Sequence, residues 1–353
     1  MVSTSRSARL SEVSSSAAAV QPWPPSTKQQ GAPPTAMNYL RSLADVLLHA
    51  LSLTPSATMT IQRPKEDLPP FDHASASTYT EPPTPGWTLA QPLSATPEGR
   101  AWLAGEKQGW EVVHADDADP YRIYQLMVGG VVPRPIAFVS SVSADGVENL
   151  APFSWFNMVT SDPPVISLGL LHHQPTADAS ALKDTAANIL ATRGFTVNLV
   201  SEPFAQHANA CSVNAPPHAS EWVLSGLTRA PSIHVAAPRV KESAFSMECE
   251  LYAAHPITHP VTGLITTTLV LGRVRALHIR RDTLDARGRV DTRALRPVAK
   301  MGDISYARVG GLFRAPRPEW ADAERVLLAA SSSAAVDVRE DAPAADADAQ
   351  SSS

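Results

Sequence analysis

A chain of 353 residues, 44% hydrophobic and 18% charged with a formal net charge of −5, has room for one large domain or two small ones. Its Lys and Arg are scattered rather than gathered in the stripe a nucleic-acid backbone requires, and no apolar run reaches the length of a membrane span. Two cysteines are too few for a disulfide framework and fit a reducing, cytoplasmic compartment.

Residues 1–104 are rich in Pro, Ser, Thr and Ala, as in "SSSAAAVQPWPPSTKQQGAPPTA". Such a stretch buries too little apolar surface to offset chain entropy and is expected to be disordered. One island, "MNYLRSLADVLLHALSL" (37–53), carries leucines at helical spacing and reads as a short amphipathic helix. The few acids before Asp45, set against Arg6, Arg9, Lys28 and Arg41, give the segment a faint mitochondrial-presequence character that its prolines interrupt. From residue 321 the composition turns acidic and low in complexity, which reads as a solvated tail. The folded unit is therefore expected over 105–320.

Within it, "RPIAFVSSVSADGVENLAPF" predicts a strand from Ile136 to Val142 and a hairpin turn at Asp145-Gly146. Residues 163–171, 195–200, 246–254 and 263–279 predict further strands, with Gly272 marking a bulge or bend. Two helices interrupt them. In "TADASALKDTAANILATRG" Leu182, Ala186, Ile189 and Leu190 share a face, with Gly194 as the C-cap signal. In "EPFAQHANA" Ser201 is the candidate cap and Pro203 falls in the first turn. Many short strands without regular βαβ alternation imply a closed or nearly closed antiparallel barrel with helical insertions.

Familiar catalytic patterns are missing. His255 and His259 are four apart, but Pro256 and Pro260 forbid a shared helical face, and His172 and His173 diverge on a strand, so no metal set emerges. There is no nucleophile elbow. Gly129-Gly130 and Gly310-Gly311 lack a dinucleotide fingerprint. Cys249 reads as a packed thiol. Lys183 and Thr185 stand near the start of a helix, where a lysine and a hydroxyl suit a phosphate, although Lys-Asp-Thr alone also describes a solvated face.

In order along the chain, "VPRPIAFVSSVSADGVENLAPFSWFNMVTSDPP", "LKDTAANI", "FTVNLVSEPFAQHANACS" and "LRPVAKMGDISYARVG" resemble the flavin reductase-like, FMN-binding split-barrel family. The resemblance implies a mainly β fold, a split antiparallel barrel of Greek-key type with helical insertions, flanked by disordered ends. It implies that Asn149, Phe153, Ser154, Phe156 and Asn157 run along an isoalloxazine ring, with the aromatics serving as ring cover or as core. It gives the FMN phosphate to Lys183 and Thr185, supported by Asn188, and places Asn209 and Ser212 near the flavin. It further implies a homodimer and NAD(P)H as the reductant, passing hydride to bound flavin and on to an acceptor. A non-catalytic FMN-binding or storage protein would need the same cradle.

Overall fold

The computed structural model describes residues 68–74 and 77–340. The amphipathic segment 37–53 and the presequence-like stretch before it lie outside them. Strands β1 (Arg134–Pro135), β2 (Ala137–Val142), β3 (Glu148–Phe153), β4 (Phe156–Ser161), β5 (Pro164–Thr176) and β6 (Gly194–Leu199) come first. The short β7 (Arg229–Ala230) and β8 (Arg239–Val240) precede two long strands, β9 (Phe245–Thr258) and β10 (Ile265–Ile279), and then β11 (Val298–Lys300) and β12 (Tyr306–Arg308).

Seven strands form one antiparallel sheet in the order β3-β2-β6-β9-β10-β5-β4. β3 and β4 are neighbours in sequence yet occupy opposite edges, joined only by Ser154 and Trp155. So short a link forces the twisted sheet to curl until its edges meet, and this makes the architecture a split barrel. The Asp145-Gly146 turn closes the first hairpin as expected, with Gly146 at φ 86°, a conformation open to a residue without Cβ. At Gly272 the register of β10 shifts, and an added Cβ would sit 2.5 Å from Cζ of Phe195. The expected bend is there, and the glycine makes room for a core aromatic ring.

The barrel interior is filled by Val139, Leu168, Leu170, Phe195, Val197 and Val270, all fully buried. The helix Asp184–Thr192 closes it with Ala186 and Ile189, while Leu182 and Leu190 pack partly buried beside them. The expected helical face is the one that docks. Its C-terminus differs from the expectation: Arg193, not a glycine, takes the left-handed turn at φ 64°, with its guanidinium on the Leu251 carbonyl at 3.0 Å. Gly194 instead starts β6, where an added Cβ would press on Val235 at 3.1 Å. A second cluster on the outer face, around Phe138, Leu150, Trp222 and Val240, seats the helices Ala205–Ala210 and Glu221–Ser225. Ser201 stands at the expected cap position but its hydroxyl makes no cap bond, and the turn Glu202–Phe204 before Ala205 is 3₁₀. Its backbone bridges Pro297 instead.

Regular structure occurs in stretches expected to be irregular, including the helix Pro97–Leu103. Residues 78–80 pair with Leu312 through backbone bonds of 2.8 and 2.7 Å. Trp320–Glu340 is helical, since Ala and Leu favour the helix over the coil that acidic composition suggested. Among the described residues no helix is long and apolar enough to cross a membrane.

Candidate functional site

The helix Asp184–Thr192 points its N-terminus at a cavity of about 290 Å3. Its first internal bond runs from the Ala187 N–H to the Lys183 carbonyl, leaving the preceding amides turned outward. Lys183, Asp184 and Thr185 line this end of the cavity, and Lys183 occupies the N-cap position without spending its side chain on a cap bond. Thr185 is buried, and its hydroxyl oxygen accepts the Asn149 amide at 2.8 Å. The hydroxyl proton is thereby left to donate elsewhere. A lysine, a hydroxyl proton and outward amides suit a dianionic phosphate.

From there the cavity runs along Asn149, Ala151, Phe153, Ser154 and Trp155 of the barrel seam, faced by Gly169, Leu171 and His173 of β5 and by Ser212 to Ala215. Gly169 allows the indole to lie against the strand: its added Cβ would be 3.3 Å from the Trp155 Cβ. Beyond the seam a second, apolar groove of about 640 Å3 opens between the helix Pro120–Gly130 and the β4 edge. Trp155, Ser154 and Arg134 belong to the walls of both spaces.

Of the ten residues the sequence singles out, six line the cavity: Asn149, Phe153, Ser154, Lys183, Thr185 and Ser212. Phe156 and Asn157 line the apolar groove instead. Asn157 is exposed and its Oδ1 accepts its own neighbour's amide, Met158 N–H, at 2.8 Å. The chain crosses from one sheet edge to the other at Ser154-Trp155, so β4 lies on the other side of the seam from β3. Asn188 does not reach the cavity. It is buried and donates to Ser141 Oγ at 3.1 Å, tying the helix to β2. Asn209 is likewise turned away, accepting the Tyr306 hydroxyl at 2.8 Å.

Arg134, Lys300 and Glu221 are among the wall residues not picked out in the sequence. Arg134 and Lys300 sit in quoted motifs but read as ordinary strand charges. Only the pairing of β1 with β11 sets them opposite each other. Glu221, buried, accepts the Leu150 N–H at 3.0 Å and lines the cavity beside Cys211. Burial, then the nearby Glu221 charge, pushes the Cys211 thiol up to about 12, so it stays a protonated wall atom rather than a nucleophile. His172 and His173 diverge as expected. His172 is buried on Thr268 Oγ1 at 2.9 Å, and burial holds it below the ordinary histidine value, while His173 faces the cavity.

A split antiparallel barrel with a helix end suited to an anion and an aromatic seam beside it fits the class of flavin-type split-barrel proteins. The chain belongs to the flavin reductase like domain family, which matches it over residues 128–294. A protein of Aquifex aeolicus is 36% identical over 200 residues, 57% of this chain and 95% of that one, and YwrF of Bacillus subtilis is 33% identical over 59% and 98%. Among solved structures, nitrilotriacetate monooxygenase component B from Bacillus cereus is 31% identical with a TM-score of 0.55, covering 59% of this chain and 99% of that one. The 2-nitrobenzoate 2-nitroreductase NbaA of Pseudomonas fluorescens is 28% identical with a TM-score of 0.51, covering 59% and 96%.

Proposed function

We propose that this chain binds FMN in the seam cavity and is an oxidoreductase that takes hydride from NAD(P)H onto the flavin and passes it to a further acceptor. The observation that carries this reading is the meeting of a phosphate-type end, Lys183 and Thr185, with the Ser154-Trp155 seam in one continuous cavity. Membership of the flavin reductase like family supports it, as do the names of the two solved relatives, a monooxygenase component and a nitroreductase.

When bound, FMN supplies the two-electron chemistry, and the protein supplies binding, orientation and electrostatics. Lys183 and the Thr185 hydroxyl hold the phosphate. The Ser154 hydroxyl accepts Arg134 Nε at 3.2 Å, so its proton is directed away from the guanidinium and is available to an acceptor atom at the seam. Trp155, 39% exposed, covers apolar ring surface and separates the cavity from the groove. A protonated Cys211 leaves no thiolate in that space.

The test is direct. The purified protein, loaded with FMN and freed of oxygen, is given NADH or NADPH and its visible absorbance followed. Bleaching within seconds to minutes is expected. Flavin that stays yellow under excess of both donors replaces the reductase reading with flavin storage, and a protein that holds no flavin removes both.

A further inference from the structure

Arg134 and Lys300 are direct cross-strand partners in the antiparallel pair β1–β11. Like charges placed opposite each other weaken a strand pair, and Arg134 is also only 8% exposed. Buried charges normally have an opposite charge beside them. Arg134 has none: its partners are the Val128 and Val131 carbonyls at 2.5 and 2.8 Å, the Met301 carbonyl at 2.8 Å and Ser154 Oγ at 3.2 Å. Lys300 Nζ donates to the Asp303 and Ser305 carbonyls at 2.6 and 3.2 Å and lies 4.7 Å from the Tyr306 ring. Neither cation forms an ion pair among the described residues. A guanidinium has five N–H donors and an ammonium three, so each keeps one in reserve. Burial, then the Arg134 charge, holds Lys300 below the ordinary lysine range, with Asp303 pulling the other way.

Both cations line the cavity, and Arg134 also closes one end of the groove. Most of that groove is apolar, with Ile123, Met127, Val131, Pro135 and Phe156, and Tyr124, Asn157 and Ser167 add polar atoms to its wall. We propose that the Arg134–Lys300 pair is an organic-anion site, which seats the carboxylate of a small aromatic acid whose apolar body lies in the groove beside the seam. The class of second ligand rests on the FMN reading above, but the anion site itself consists of the chain's own residues.

Benzoate is the probe and benzamide, of equal size and no charge, its control. Titrated into the FMN-loaded protein, benzoate is expected to shift the flavin absorbance and saturate, with benzamide at least about tenfold weaker, as for loss of a charge-assisted contact. Arg134 has too many structural bonds to be replaced safely, so the variants are Lys300→Met and, on the groove wall, Met127→Glu. Each should weaken benzoate about tenfold or more while flavin affinity changes less. Calorimetric titration of benzoate into flavin-free protein reads the same site if no flavin is held, which separates failure here from failure of the FMN reading. Equal binding of benzoate and benzamide overturns the proposal. So does benzoate binding unchanged in Lys300→Met, or a Lys300→Met defect confined to FMN or to NAD+. Absence of benzoate binding together with a Met127→Glu change in subunit mass would assign the groove to a second copy of the chain.

Discussion

In the proposed reading, Lys183 is the residue on which phosphate binding depends. It stands at the helix N-cap, where Ser, Thr, Asp or Asn would ordinarily bond the exposed amides, and its side chain makes no such bond. A cap position given to a lysine leaves the amides and the ammonium to act on the same external anion. Loss of one charge-assisted hydrogen bond costs about 1.5–3 kcal/mol, roughly ten- to a hundredfold in affinity. Lys183→Ala should therefore weaken FMN by that factor and riboflavin, which has no phosphate, hardly at all. Fluorescence titration with the two ligands checks it, and equal losses would place the lysine's effect elsewhere. Its place at a helix start on the cavity wall was legible because Lys-x-Thr followed by a helical face marks such a start. Asn188 misled for a related reason: one helical turn on from the phosphate residues, it shares their side of the helix, yet Ser141 of β2 claims its amide first. Arg134 and Lys300 were illegible because their meaning lies in a pairing between strands far apart in sequence.

At the scale of elements, local patterning carried the strands and the first helix. It did not carry what fixes them to each other. Alternation in "SMECELYAA" puts Met247, Cys249 and Leu251 in the barrel core, yet the opposite face of β9 is buried as well, and Glu248 on it is fully buried. Its carboxylate accepts the Ile233 and His234 amides at 2.8 and 2.6 Å and bonds His278 Nε2 of β10 at 2.6 Å. One side chain thus fastens two strands to the 231–238 loop, a partnership invisible in a short sequence window. Burial alone would raise this carboxyl. The two amides and His278 outweigh it, and the net value falls below the ordinary 4.5. A folded-state value below the unfolded one means that ionisation favours the fold. The stabilisation is complete above about pH 4.5 and is lost as pH falls through the folded-state value. Glu248→Gln sets an NH2 against an amide donor and should destabilise by about 3 kcal/mol. Urea denaturation at neutral pH measures this loss, and a repeat in acid should find the difference between variant and parent narrowed. A variant as stable as the parent at neutral pH would show that the loop holds without it.

For the whole molecule, composition marked the region of the barrel but not residues 78–80, which pair with Leu312, and the barrel leaves an uncharged edge and an apolar patch exposed. None of the seven sheet strands draws on residues before 137 or after 279, and residues 71–74 and 77–80 meet the chain beyond the sheet, where Ser77 bonds the Val309 carbonyl, Thr80 the Leu312 carbonyl, and Arg293 lies over the Tyr79 ring. We propose 105–320 as the folding unit, and a protein cut to those limits should still bind flavin and resist protease, with a resistant core reaching back through Leu40 as the opposing result. The sheet itself ends on β4, which pairs only with β5 and exposes Met158 and Val159 at 71% and 54%. Tyr124, Met127 and Val131 are exposed beside the seam, and Trp155 stands at the mouth. An uncharged sheet edge next to an apolar patch invites further strand pairing or burial, and in an open barrel that patch borders the flavin cavity. A second copy, related by a two-fold axis, would pair with the edge and roof the patch while leaving the interior of the groove to a small ligand. We therefore expect a homodimer at micromolar concentration by light scattering. Met158→Lys with Val159→Glu should shift the mass toward that of one chain and loosen FMN together with it. A monomeric parent protein that still binds FMN tightly would show that the seam is complete in a single chain.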